Sequence, residues 1–163
     1  MKTIQETFRE KALWKITKYT DADAKAKGDA YETKDIDGNL LTNEGINELL
    51  TILGSAASGT KYDNTNAYLI VGTGVGAAAA GDTEATFTAG VKAGMEVGYP
   101  TYGTSQQIIW KANFDGDTAN QAWNEFGVLN ASSAGKLLNR KVETEGTKTL
   151  GQVWDLELQI TLS

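Results

Sequence analysis

Three sets of residues in this chain have types and spacings that could do chemistry. Gly72-Thr73-Gly74-Val75-Gly76-Ala77 follows the apolar run Tyr68-Leu69-Ile70-Val71, as a dinucleotide-binding glycine loop follows its first strand. That chemistry needs a helix immediately afterwards, because the helix N-terminal N–H groups hold the pyrophosphate. Ala77 to Ala80 could start one, but Gly81 to Thr88 changes to a β-favouring pattern and no αβ continuation follows. A small-residue surface loop is therefore the expectation, and no Gly-Lys-Ser/Thr ending marks a phosphate-cradling P-loop. Asp35-Ile36-Asp37-Gly38-Asn39 and Asp115-Gly116-Asp117 resemble fragments of calcium loops, yet neither carries a full twelve-residue ligand pattern. Asp-Gly is commonest as turn chemistry. Glu125, Asp155 and Glu157 could supply paired carboxylates for glycoside hydrolysis, but Asp155 and Glu157 fall on the polar face of a strand and read as a solvated sheet face. No catalytic, cofactor-binding or metal-ligating residue is assigned, and a non-enzymatic chain without cofactor is expected.

Composition narrows the chemistry further. The 163 residues include no cysteine, no histidine, one proline and eighteen glycines. A disulfide framework, a thiolate or imidazole zinc site, a haem ligand and Ser-His-Asp or Cys-His catalysis are all excluded. Fifteen basic against twenty-one acidic residues give a net charge of −6, which argues against capture by a nucleic-acid backbone. The first ten residues are charged throughout, and no run approaches the twenty apolar residues of a membrane span. The chain reads as soluble and cytoplasmically made, with neither nucleic acid nor membrane as partner. Asn130-Ala131-Ser132 is formally a glycosylation sequon, but without a secretion signal it should not meet the modifying enzyme.

The elements that must carry these residues are mostly strands. A chain of this length buries roughly two-thirds of its surface in a single core. Ala12 to Tyr19 and Tyr31 to Ile36 read as a hairpin closed by Asp37-Gly38, with Asp21 to Gly28 a surface loop between them. Ala67–Val71, a region from Ala85 to Val97, Gln107–Phe114, Trp123–Leu129 and Lys136–Val142 follow as strand patterns. The clearest is the last, where Trp154, Leu156, Leu158, Ile160 and Leu162 alternate with Asp155, Glu157, Gln159 and Thr161. One helix is expected over residues 43–53, capped by Thr42 or Asn43, with Ile46, Leu49, Leu50 and Leu53 on one face and Gly54 as its stop. So short a helix needs a hydrophobic surface to lie on. The pattern predicts a mainly β fold: an antiparallel β-sandwich or open barrel with one short α-helix. Residues 1–20 read as an N-terminal arm or first strand, and 21–163 as a single β-rich domain.

The four tryptophans each lie in a strand-like segment and are expected in the core. Tyr99 and Tyr102, in the Gly/Pro-punctuated segment Tyr99-Pro100-Thr101-Tyr102-Gly103, are the candidates for an exposed loop patch. Ile4, Phe8, Leu13 and Trp14, set among charges, are the candidate partner contact, a segment that either orders on binding or packs on its own domain.

The order of features carries a resemblance. Asn43-Glu-Gly-Ile-Asn-Glu-Leu-Leu precedes a strand running into Val71-Gly72-Thr73-Gly74 and an Ala/Gly/Asp/Thr tract from Ala77 to Thr86. Asn124-Glu-Phe-Gly-Val-Leu-Asn-Ala131, Gly135-Lys-Leu-Leu-Asn-Arg-Lys-Val142 and Trp154 to Leu162 follow. This succession, over about residues 40 to 163, resembles small structural proteins of tailed bacteriophages: capsid decoration, head-fibre or tail-associated proteins. The resemblance implies a virion component made in the bacterial cytoplasm, β-rich and often a homotrimer, which binds the major capsid protein and its own copies. It implies paired strands at 125–131 and 136–142 and a glycine-threonine loop at 72–82. Residues 1–40 have no counterpart in it. A tail-fibre or tail-tip component that binds a host surface glycan through Tyr99 and Tyr102 is the alternative.

Overall fold

The alternation of apolar and polar residues becomes ten strands in the computed structural model, which describes residues 9–55 and 58–163. In chain order these are β1 (Glu10–Tyr19), α1 (Ala22–Lys27), β2 (Glu32–Asp37), β3 (Leu40–Leu41), α2 (Asn43–Gly54), β4 (Tyr68–Gly72) and β5 (Val91–Gly94). Then follow β6 (Thr101–Thr104), β7 (Gln107–Phe114), β8 (Glu125–Leu129), β9 (Leu137–Val142) and β10 (Val153–Leu162). They form two five-stranded sheets, ordered β2-β1-β10-β7-β6 and β3-β9-β8-β4-β5, and every pairing is antiparallel. The two sheets pack face to face, so of the sandwich and the open barrel it is the sandwich that forms.

Period-two burial makes the core. Ala12, Trp14 and Ile16 of β1, Trp110, Ala112 and Phe114 of β7, and Trp154, Leu156, Leu158 and Ile160 of β10 face Leu69, Val71, Phe126 and Val128 of the opposite sheet. All four tryptophans are buried in this cluster. Trp123 wedges between the layers: its ring lies 4.9 Å from Phe114 and from Trp154 in the first sheet and 6.4 Å from Phe126 in the second. Its indole N–H donates to Ala119 O at 3.1 Å, so the buried ring leaves no orphan donor.

Several expectations are corrected. Trp14 is fully buried and stacks 5.9 Å from Phe126, so it is a core residue and not a partner contact. Its neighbour Leu13 lies half-buried on the opposite face of β1, while Ile4 and Phe8 lie outside the described residues. Residues 10–19 are a first strand hydrogen-bonded on both sides, to β2 and β10. Asp21 to Gly28, expected as a loop, holds α1: Asp21 Oδ1 accepts the Ala24 N–H at 2.8 Å, and Gly28 closes the helix at φ 74°. This helix buries no residue, so no apolar stripe marked it. The segment carrying Tyr102 is also a short edge strand, β6.

Removing the wedge should open the core. Trp123→Ala is expected to lower the unfolding free energy by about 3–5 kcal/mol, read from the urea midpoint with the slope unchanged.

Candidate functional site

The glycine loop is filled by the protein's own anion. Glu125, buried at the start of β8, accepts the N–H groups of Gly74 and Thr88 on Oε1, both at 2.8 Å. A Cβ on Gly72 or Gly74 would lie 2.5 Å from that oxygen, so these glycines give the carboxylate room to approach the backbone. Arg140 of β9 donates to Glu125 Oε2 through Nε at 3.0 Å and Nη2 at 2.6 Å, and its Nη1 reaches Asp82 at 2.8 Å. Of the loop amides that a dinucleotide site would turn to phosphate, Gly74 N–H is spent on Glu125 and Thr73 N–H on Thr88 O.

The second tempting loop is filled by the protein's own cation. Lys148 is buried, and its Nζ donates to Asp115 O, to Thr118 O at 2.9 Å and to Asn120 Oδ1 at 2.9 Å. Burial holds its pKa below the ordinary lysine value, against the opposing charges of Asp115 and Asp117. Asp115 Oδ1 meanwhile accepts the N–H groups of Asp117 and Thr118, both at 3.0 Å, which is turn chemistry. An ammonium therefore sits where the loop oxygens converge. Among the described residues no three acidic groups come together as metal ligands.

The carboxylate trio is divided. Asp155 and Glu157 lie on the outer face of the first sheet, while Glu125 belongs to the second. Asp155 Oδ1 accepts from Lys25 Nζ at 2.6 Å and Asn113 Nδ2 at 2.7 Å, and Lys25 also reaches Glu96 at 2.7 Å. Lys111 stands 3.4 Å from Glu96 and 3.5 Å from Asp155. Burial pushes the Glu96 pKa up, but the hydrogen bond and charge of Lys25, with Lys111 behind it, outweigh that and hold it below the ordinary value of 4.5.

The same network positions the tyrosine patch. Asn64 Nδ2 donates to Glu96 O at 3.1 Å and Tyr99 O at 2.5 Å, and Lys111 Nζ lies 5.8 Å from the Tyr99 ring centre. Tyr99 and Tyr102, the latter 73% exposed, line one open depression of about 440 Å³ with Asp63, Asn64, Thr65 and Pro100. Sequence reasoning paired the tyrosines but missed Asp63 to Thr65, which reach them only through tertiary contact.

The helix α2 departs furthest from expectation. Thr42 caps it, its Oγ1 accepting the Gly45 N–H at 3.1 Å and donating to Leu137 O. Gly45 presses on β9 so closely that a Cβ would lie 2.5 Å from Leu138 Cα. Glu44 accepts the Leu137 N–H at 2.8 Å, and Glu48 accepts from Thr60 N–H and Asn130 Nδ2. The helix is therefore seated by backbone contact, by polar bonds and by half-buried Ile52 against the core, while the stripe of Ile46, Leu49, Leu50 and Leu53 is left exposed. Ile46 is 40%, Leu49 43%, Leu50 61% and Leu53 86% exposed. Leaving the equivalent of two full aliphatic side chains in water forgoes about 3–6 kcal/mol.

Family models, curated proteins and solved structures contain no significant match to this chain. Among the described residues no helix is long and apolar enough to cross a membrane.

Two outcomes follow from the buried charges. Glu125→Gln should cost about 2–4 kcal/mol in urea denaturation, because the buried Arg140 loses its bidentate carboxylate partner and keeps only Asp82. Because the folded pKa of Glu96 lies below its unfolded value, its stabilisation is complete above pH 4.5 and is lost as pH falls through the folded pKa. Glu96→Gln should accordingly lower the melting temperature at pH 7 and flatten its decline in acid, as thermal melts across pH 2–7 would record.

Proposed function

We propose that this chain is a non-enzymatic structural protein of a phage virion, a capsid decoration or cementing protein. It is made in the host bacterial cytoplasm, assembles as a homotrimer and binds the major capsid protein. The observation that carries the reading is the outward apolar stripe of α2, on a chain whose buried charges are spent on its own backbone and side chains. Chemistry is directed inward while hydrophobic surface is offered outward, which suits a role in association. The order of motifs over residues 40 to 163 supports the virion assignment, and a chain without cysteine or histidine suits a particle that leaves the cell. Avidity on a lattice would multiply modest contacts.

The depression around Tyr99 and Tyr102 supports a second reading, a tail-fibre or tail-tip component. The exposed ring of Tyr102 and the half-buried ring of Tyr99, beside Asp, Asn and Thr side chains, are suited to stacking on sugar rings and bonding their hydroxyls.

Mass spectrometry of purified virions, with particle imaging, separates these outcomes. The expected result is the protein on the capsid shell in stoichiometric copies, and its absence from the particle would refute the assignment. Location at the tail tip, with host-cell binding abolished by Tyr99→Ala and Tyr102→Ala together, would replace the capsid reading with the glycan one.

A further inference from the structure

We infer that the depression between the ends of β1 and β2 and the segment 144–147 is a binding site for a neutral sugar, recognised through Glu145. It is separate from the α2 stripe and from the depression at Tyr99 and Tyr102. Tyr102 belongs to β6, and β2 and β6 are opposite edges of the first sheet. The depression holds about 390 Å³, within the range of small-ligand sites, and Lys18, Tyr31, Glu32, Lys34, Glu145 and Trp154 line it.

An incomplete carboxylate marks the site. Glu145 is 5% exposed and its Oε1 accepts from Lys34 Nζ at 2.8 Å, but its Oε2 makes no hydrogen bond within the described residues. It departs in this from Glu125 and Lys148, whose buried charges are spent within the chain. A buried acceptor without a donor is costly, so a ligand that supplies one is favoured. Lys18 does not supply it: its buried ammonium donates to Glu145 O at 2.7 Å and Glu32 Oε2 at 3.0 Å, and lies 4.5 Å from the Trp154 ring centre. Trp154 adds a buried indole N–H that also lacks a partner. Lys34, by contrast, is a half-exposed side chain, so a ligand can reach Glu145 by moving a surface lysine and leaving the strands in place.

Charge and hydrogen bonding select the ligand. Two lysines and two glutamates line the site, so their formal charges cancel. An anion would compete with Glu32 and Glu145 for the lysines, and a cation with the lysines for the carboxylates, each breaking a pair for every one it makes. A hydroxyl breaks none, because it donates to Glu145 Oε2 and accepts through the same oxygen. Donors to that oxygen are at hand: Tyr31 accepts from Gln152 Nε2 at 3.3 Å and, as a phenol, still has a proton to donate, and Thr147 brings a second hydroxyl. A sugar ring carries several such hydroxyls on one rigid frame, which limits the ordering cost of binding. Its C–H face also matches the flat, exposed ring of Tyr31.

Chemical-shift mapping of the full chain tests this, with the methyl glycosides of glucose, galactose and mannose as neutral probes and glucuronate and glucosamine as charged ones. The expected result is a saturable shift of the Tyr31, Glu145, Gly146 and Thr147 amides with at least one neutral glycoside, weakened about tenfold or more in Glu145→Gln. Should that buried variant fail to fold, Tyr31→Phe, at an exposed ring, is expected to weaken the same response several-fold. The inference is overturned by the absence of a saturable shift at these amides, which would assign Glu145 Oε2 to water only. Tighter binding of either charged probe, or a response unchanged in the folded variants, would also overturn it. The readout is independent of virion location, and sugar shifts confined to Tyr99 and Tyr102 would support the tail reading while sinking this site.

Discussion

Much of the second sheet's outer face depends on the buried ion pair between Glu125 and Arg140. These residues sit on neighbouring strands, and through Gly74 N–H, Thr88 N–H and Asp82 they fix both ends of the segment running from β4 towards β5. That segment in turn supplies Ala80 O, which accepts the N–H of Asn43 at the start of α2 at 2.8 Å. The position of the outward apolar stripe is therefore linked to a charge pair inside the sheet. A buried pair of this kind adds little net stability against an apolar replacement, but removing one member is costly, so its effect is to hold one geometry.

The same logic recurs at the other charged centre. Lys148 gathers the carbonyls of the 115–120 loop as a bound cation would, and Glu125 takes one amide of the glycine loop, Gly74, together with that of Thr88, as a bound anion would. In both of these loops the chain acts as its own ligand. What remains available is surface: an uncharged apolar helix face and an aromatic depression, both held by polar networks that leave their exposed groups free to make contacts.

Legibility in the sequence followed the range of the interactions. The alternation from Trp154 to Leu162 is local and marked a half-buried strand directly, as did Gln107 to Phe114. The ends of α2 were legible from Thr42 and Gly54. Its orientation was not, because an apolar stripe reports that a face is apolar and not what covers it, and Gly45 turned a different face to β9. Helix α1 has no stripe and is held by its caps and by the ion pairs of Lys25 with Glu96 and Asp155, which no local pattern reveals, so its residues read as loop. Glu125 carried an unused signal: an acid inside the run Trp123 to Leu129 must find a partner when buried. The identity of that partner, Arg140, depends on strand pairing. Asp63 to Thr65 joined Tyr99 and Tyr102 through contacts more than thirty residues away, beyond any local pattern.

The claim that these loops are closed by the chain's own charges is most directly examined by amide hydrogen exchange and chemical-shift mapping of the full protein titrated with inorganic pyrophosphate. The expected result is slow exchange at Gly74 and Thr88, with no saturable shift from Gly72 to Gly76. Fast exchange at those two amides, or a saturable pyrophosphate-dependent shift in the loop, would contradict it.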